Sequence, residues 1–190
     1  MLLILLLAES LTALDVRGFI TWHIGLGALL VGPVLLKIAT TSWRAGRYYT
    51  GNPGYAVAGP PPMVFRVDGP LLVVSMVALL ATGIIAALAG PDSARTGLLG
   101  PLDLITLHQT AFWVWAVSVG VHVLGRLVPA WRIARARPGA GGSAPRVPGR
   151  LPRGLLVVGA LAAGVGVMAA VLPSATPWQN DRPRFERHHD

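Results

Sequence analysis

The feature that most constrains this chain is the gathering of its apolar residues into long blocks. They are separated by short stretches rich in Arg, Gly and Pro. Most of the blocks approach the roughly 20 residues that an α-helix needs to cross a hydrocarbon core of about 30 Å. Hydrophobic residues make up 53% of the 190 and charged residues only 13%, where a soluble domain carries nearer to about 25%. Inside lipid every backbone N–H and C=O must be satisfied within the segment, so such blocks fold as helices. The expected class is an all-α integral membrane protein with about five transmembrane helices: a four-helix core plus an N-terminal helix.

The expected helices cover about 1–14, 18–38, 68–89, 102–127 and 154–172. Residues 1–130 form the membrane core and 131–153 a basic, Gly/Pro-rich cytoplasmic linker, with Pro138 to Pro148 reading as disordered. Residues 173–190 form a polar outer tail. The first block, MLLILLLAESLTAL, is short for a span, but it lacks the basic n-region of a secretory signal, which favours a membrane helix. Residues 39–67 read as a polar connection, in which Trp43, Tyr48, Tyr49 and Tyr55 suit an interfacial aromatic belt. Pro33 is placed to kink the second helix, and Pro70 is allowed in the first turn of the third. Gly159, Ala160, Ala163, Gly164 and Gly166 give the last helix small faces for close helix contact.

The chain has no cysteine, which excludes disulfides, thiolate metal sites, iron–sulfur clusters and covalently attached c-type haem. The net charge is +8. The Arg residues flank apolar blocks, so orientation in the bilayer and contact with anionic lipid account for them better than nucleic acid does. Lys37, Arg44, Arg47 and Arg66 follow the second block, and the stretch from Arg126 to Arg153 holds seven Arg with no acid. The loop at 90–103 offers only Arg95 against Asp92 and Asp103. The basic connections should therefore face the cytoplasm, which places the N-terminus inside the cell membrane and the tail outside.

Histidines carry the chemical signal. His108 and His122 lie 14 residues apart in LDLITLHQTAFWVWAVSVGVHVLGRL. On a helix that is roughly 21 Å along the axis and about 40° around it. In the expected topology the helices at 18–38 and 102–127 both run from outside to inside, and His23 and His108 each fall roughly 8–9 Å below the outer interface. Two neutral imidazoles at one depth on parallel helices can supply both axial ligands of a single haem iron. Gly27 would leave room for the macrocycle, and Phe112 and Trp115 would pack against its edge or below it. No other strongly polar residue is expected at that depth. His122 has no histidine level with it, leaving an interfacial structural residue, a proton or quinone site, or a third candidate metal ligand, with Arg126 one turn away to hold an anion. His188 and His189 read as solvated.

This pattern, two histidines 14 apart on one membrane helix facing a third on an earlier helix, resembles the b-type haem four-helix bundles of the cytochrome b/b6 and cytochrome b561 groups. His23, His108 and His122 are the matching residues, and the fourth histidine of a two-haem arrangement is missing. The segments TWHIGLGALLVGPVLLK, RYYTGNPGYAVAGPPP and LHQTAFWVWAVSVGVHVLGRL are also similar to a family of small actinobacterial membrane proteins, over roughly residues 1–130. The resemblance implies haem b and electron transport between a membrane donor such as quinol and a redox partner on the outer side. No nucleophile, carboxylate pair or phosphate loop is visible, so any enzyme role would be that of a haem subunit of an oxidoreductase. The competing reading is a haem-free scaffold or accessory subunit with structural histidines. A transporter is weaker, because no inverted repeat is visible.

Overall fold

The structure, a computed structural model, describes residues 1–56, 62–97, 102–135 and 150–181. These residues form seven α-helices and no strand. They are α1 (Leu2–Thr12), α2 (Ile20–Tyr49), α3 (Pro53–Ala56), α4 (Met63–Ala94), α5 (Leu104–Arg135), α6 (Arg150–Val171) and α7 (Ala175–Gln179). Single turns of 3-10 helix at Ala13–Asp15 and Leu172–Ser174 join α1 towards α2 and α6 to α7.

Among the described residues, four helices are long and apolar enough to cross a membrane, namely α2, α4, α5 and the segment Leu151–Gln179. The N-terminal helix differs. Its 11 residues rise about 16 Å at 1.5 Å each, roughly half of a hydrocarbon core. The apolar block is interrupted by Glu9 and Ser10, and its last turn tightens into 3-10 geometry before Asp15.

The two main helix pairs, α4 with α5 and α2 with α6, pack antiparallel. On α4 and α5, Asp68 meets His122 and Leu79 meets His108, so the two run in opposite directions. Gly25 of α2 faces Met168 and Leu172, and Gly32 faces Ala160 and Gly164, so α2 and α6 also oppose each other. Ala28 packs with Ala87, and Leu30 and Val34 with Met76, so α2 opposes α4 and runs parallel to α5. Leu30, Val34, Met76 and Trp115 form the middle of the core, with Leu2, Leu5 and Leu6 of α1 packed against it. Trp22, Val74, Trp113 and Leu124 are all at least 65% exposed. Such a surface is a liability in water and the ordinary state of a helix facing lipid.

The α2–α6 contact shows how the sequence sets helix spacing. Pro33 has no N–H for the carbonyl of Leu29, and Gly164 packs onto that carbonyl so closely that a Cβ there would overlap it. A Cβ at Gly32 would likewise overlap the carbonyl of Ala160. The expected small-residue contact face of the last helix is present at Ala160 and Gly164. Lipid offers no hydrophobic drive for helix pairing, so backbone approach of this kind supplies the attraction.

Several helix ends differ from the sequence expectation. The second helix continues from 38 to Tyr49, so Trp43, Tyr48 and Tyr49 are helical. Thr40 returns its hydroxyl to the carbonyl of Leu36 at 2.9 Å, and the helix stops only where Gly51 takes φ +76. The fourth helix starts at Met63, directly after Pro62, which puts Asp68 and Pro70 inside it. It breaks near the expected end, at Gly90 with φ 79 and ψ 168. The fifth runs on to Arg135 and the sixth starts at Arg150, so most of the expected linker, including Pro138 to Pro148, lies outside the described residues.

The first part of the expected polar tail is structured. Trp178 Nε1 donates to the carbonyl of Ala87 at 3.4 Å, Gln179 reaches Thr21, and Arg95 pairs with Asp181. Trp178 supplies the apolar body that packs beside Ala86, Ala94 and Leu104 at this end of the bundle. His188 and His189 lie outside the described residues.

Candidate functional site

A cavity of about 220 Å³ opens in the half of the bundle that holds Glu9, His23 and His108, and Gly27, Gly83 and Phe112 also line it. His23 and His108 sit across from each other with ring centroids 6.2 Å apart and planes at 86°. The expected depth match thus brings the two rings together.

Each ring is held through Nδ1. In His108, Nδ1 lies 3.1 Å from the carbonyl of Leu79 and 3.2 Å from Thr82 Oγ1. A carbonyl only accepts, so Nδ1 carries the hydrogen and Nε2 keeps its lone pair. Thr82 Oγ1 donates to the carbonyl of Ala78 at 2.7 Å, which leaves the hydroxyl oxygen free to accept from the ring. In His23, Nδ1 lies 3.1 Å from Glu9 Oε1 and 3.0 Å from Thr12 Oγ1. Thr12 donates its own hydrogen to the carbonyl of Glu9 at 2.6 Å, so here too the ring is the donor. Histidines that ligate metals have this arrangement: one nitrogen fixed by an acceptor, the other available.

Glycine shapes the pocket at two positions, Gly83 and Gly27. A Cβ at Gly83 would stand 2.8 Å from His108 Cε1, so only glycine lets that ring lie against α4. At Gly27 a Cβ would stand 3.2 Å from Glu9 Oε1. Gly27 thus leaves room for the Glu9 carboxyl group at the edge of the cavity that both residues line. Phe112 lines the cavity and stacks at a tilt on Trp115, centroids 6.1 Å apart. Trp115 also lines the cavity and belongs to the central core of the bundle.

Glu9 corrects the expectation that no other strongly polar residue lies at this depth. α1 folds back along α2 and places Glu9 beside His23, with Glu9 Oε2 buried and without a hydrogen-bond partner. Its signal was in the sequence, as the one acid within the first apolar block. Thr12, Thr82 and Gly83 were also missed. The Thr-Gly pair inside LLATGII was the readable hint for the last two.

At the other end of the bundle, His122 has a partner after all. Its Nδ1 lies 3.2 Å from Asp68 Oδ2. Asp68 falls one and a half turns inside α4 because that helix starts earlier than expected, so it faces α5 and is 7% exposed. Arg126 stacks its guanidinium over Phe65 at 4.7 Å. Among the described residues, no group of three or more His, Cys, Asp or Glu side chains gathers where it could hold a metal ion.

Comparison with protein-family models, curated proteins and solved structures yields no match. The functional reading stands on the geometry of the two histidine sites.

Proposed function

We propose that the chain is a membrane electron-transfer protein of cytochrome b type, binding one haem b in the outer half of its bundle through His23 and His108. The observation that carries this reading is the pair of rings 6.2 Å apart with both Nδ1 atoms engaged. Two imidazoles that held one metal from opposite sides through bonds of about 2 Å would have centroids about 6 Å apart. The residues present fit a group that needs two axial nitrogens and takes its remaining ligands from its own ring. They suit a bare metal ion less well, since that would want more protein ligands. The orphaned oxygen of Glu9 and the glycine cradle at Gly83 also suit a pocket shaped around an added group.

When bound, haem would supply one-electron transfer. The chain's own part is to hold both rings by Leu79, Thr82, Thr12 and Glu9, to keep the pocket dry behind Phe112 and Trp115, and to cap it from outside with Trp178. Its donor would be a lipid-soluble carrier such as quinol and its acceptor a protein on the outer side. The bundle would lie in the plasma membrane with its basic connections inside, the N-terminus towards the cytoplasm and the C-terminus outside. α1 would serve as the fifth membrane element.

The alternative is a haem-free scaffold or accessory subunit. The hydrogen bonds from His23 to α1 and from His108 to α4 join helices, as structural histidines do. The dithionite-reduced absorption spectrum of purified protein separates the two. An α-band supports the haem reading, and a featureless visible spectrum after haem supplementation supports the scaffold.

A further inference from the structure

The inner end of α4 and α5 holds a second built cluster, which the haem reading does not use. Asp68 is fixed inside, its side chain 8% exposed, while the side chain of His122 bonded to it is 42% exposed. The carboxylate accepts from Nδ1, so Nε2 is the remaining polar atom of a ring that reaches the surface. Phe65 packs edge-on to that ring, centroids 5.6 Å apart. The guanidinium of Arg126 lies over the same Phe65. Gly125 is what admits the phenyl ring, since a Cβ there would overlap it. His122 and Arg126 are one helical turn apart, which places their Cβ atoms about 5–6 Å from each other on one face.

The surroundings are apolar and outward-facing. Val64, Val67, Leu71, Val121 and Leu124 are all at least 42% exposed. The level is that of the basic connections, roughly 21 Å from His108, where an anionic leaflet meets clustered Lys and Arg.

We propose that His122 and Arg126 form a binding site for the phosphate of an anionic phospholipid of the inner leaflet, whose acyl chains lie along the exposed face of α4 and α5. Arg126 supplies a permanent cation with paired donors matched to phosphate oxygens. His122 adds the Nε2 edge of its ring, turned to the surface beside the guanidinium. Asp68 is a positioning residue, which holds the ring at the surface, and Phe65 holds the guanidinium flat. The site rests on the membrane reading and its orientation, and not on haem.

The test is thermal stabilisation of the full chain in neutral detergent micelles, titrated with phosphatidylglycerol or phosphatidylcholine. Phosphatidylglycerol should raise Tm saturably and phosphatidylcholine should not. Arg126→Gln, on an exposed side chain, should raise the half-saturating concentration about fivefold. His122→Gln should also weaken binding, and Arg47→Gln, an inner-side cation stacked on Trp43, should leave it unchanged. Equal responses to the two lipids would overturn the proposal, as would equal losses from Arg47→Gln and Arg126→Gln. Displacement of phosphatidylglycerol by a short-chain quinone at lower concentration would overturn it in favour of a carbonyl ligand.

Discussion

His23 and His108 come from helices 85 positions apart in the chain, yet their imidazoles face each other across 6.2 Å at 86°. Each ring is turned by an acceptor on a further helix: α1 for His23 and α4 for His108. Four helices therefore meet at one pair of rings, and changes on any of them should be felt there.

Gly83 should be the most sensitive position that bears no polar group. Alanine there puts a Cβ 2.8 Å from His108 Cε1, and the ring must move. Haem retained per protein should fall about tenfold in Gly83→Ala, the scale of a lost supporting contact to a ligand. Gly159 has open space around it, so Gly159→Ala should keep its haem. Pyridine haemochrome assay of the two variants makes the comparison.

The contact between α2 and α6 should fail on a single methyl group. In Gly164→Ala the added atom overlaps the carbonyl of Leu29, and in Gly32→Ala it overlaps that of Ala160. Backbone cannot yield as a side-chain tip does, so each variant should lose about 3 kcal/mol or more. Gly159→Ala should change stability by less than about 0.5 kcal/mol. Thermal unfolding in detergent reads the difference.

The inner pair should behave as a structural couple with respect to the pocket above it. Asp68→Ala removes the acceptor of a partly buried His122 and should cost about 1–3 kcal/mol. His122→Leu combined with Asp68→Leu removes both polar groups and should recover much of that loss. Neither change should alter the visible spectrum. Unfolding midpoints and spectra of the same samples check both halves.

Asp103 directly precedes α5 and accepts the N–H of Thr106 at 2.6 Å. That bond holds its carboxyl below the usual carboxylate range. A depressed folded pKa means the folded state favours the ionised form. The stabilisation is therefore full above the unfolded value and is lost as pH falls through the folded one. Asparagine caps a helix about as well and does not titrate. Unfolding midpoints below about pH 4 should thus fall more steeply for the parent chain than for Asp103→Asn.

The fold was legible where one physical rule decided it. Blocks long enough to span lipid marked α2, α4, α5 and α6, and depth counting paired His23 with His108. It was illegible where tertiary contact overrode a local signal. Asp68 looked like a helix-end acid because Pro70 suggested a start nearby, but membrane helices tolerate an internal proline. Glu9 was passed over because a short block reads as an anchor, whereas α1 folds back along α2 as one wall of the pocket. The cap formed by Trp178 and Asp181 needed knowledge of which loop lies beside it, and no period in the sequence carries that.

The central claim is that His23 and His108 hold one haem together. It is tested most directly by the dithionite-reduced minus oxidised spectrum of the parent chain beside His23→Ala, His108→Ala and His122→Ala. The account predicts an α-band in the parent and in His122→Ala, and its loss in each of the other two. An α-band that survives His23→Ala and His108→Ala but disappears with His122→Ala would contradict it, as would a parent chain with no α-band after haem supplementation.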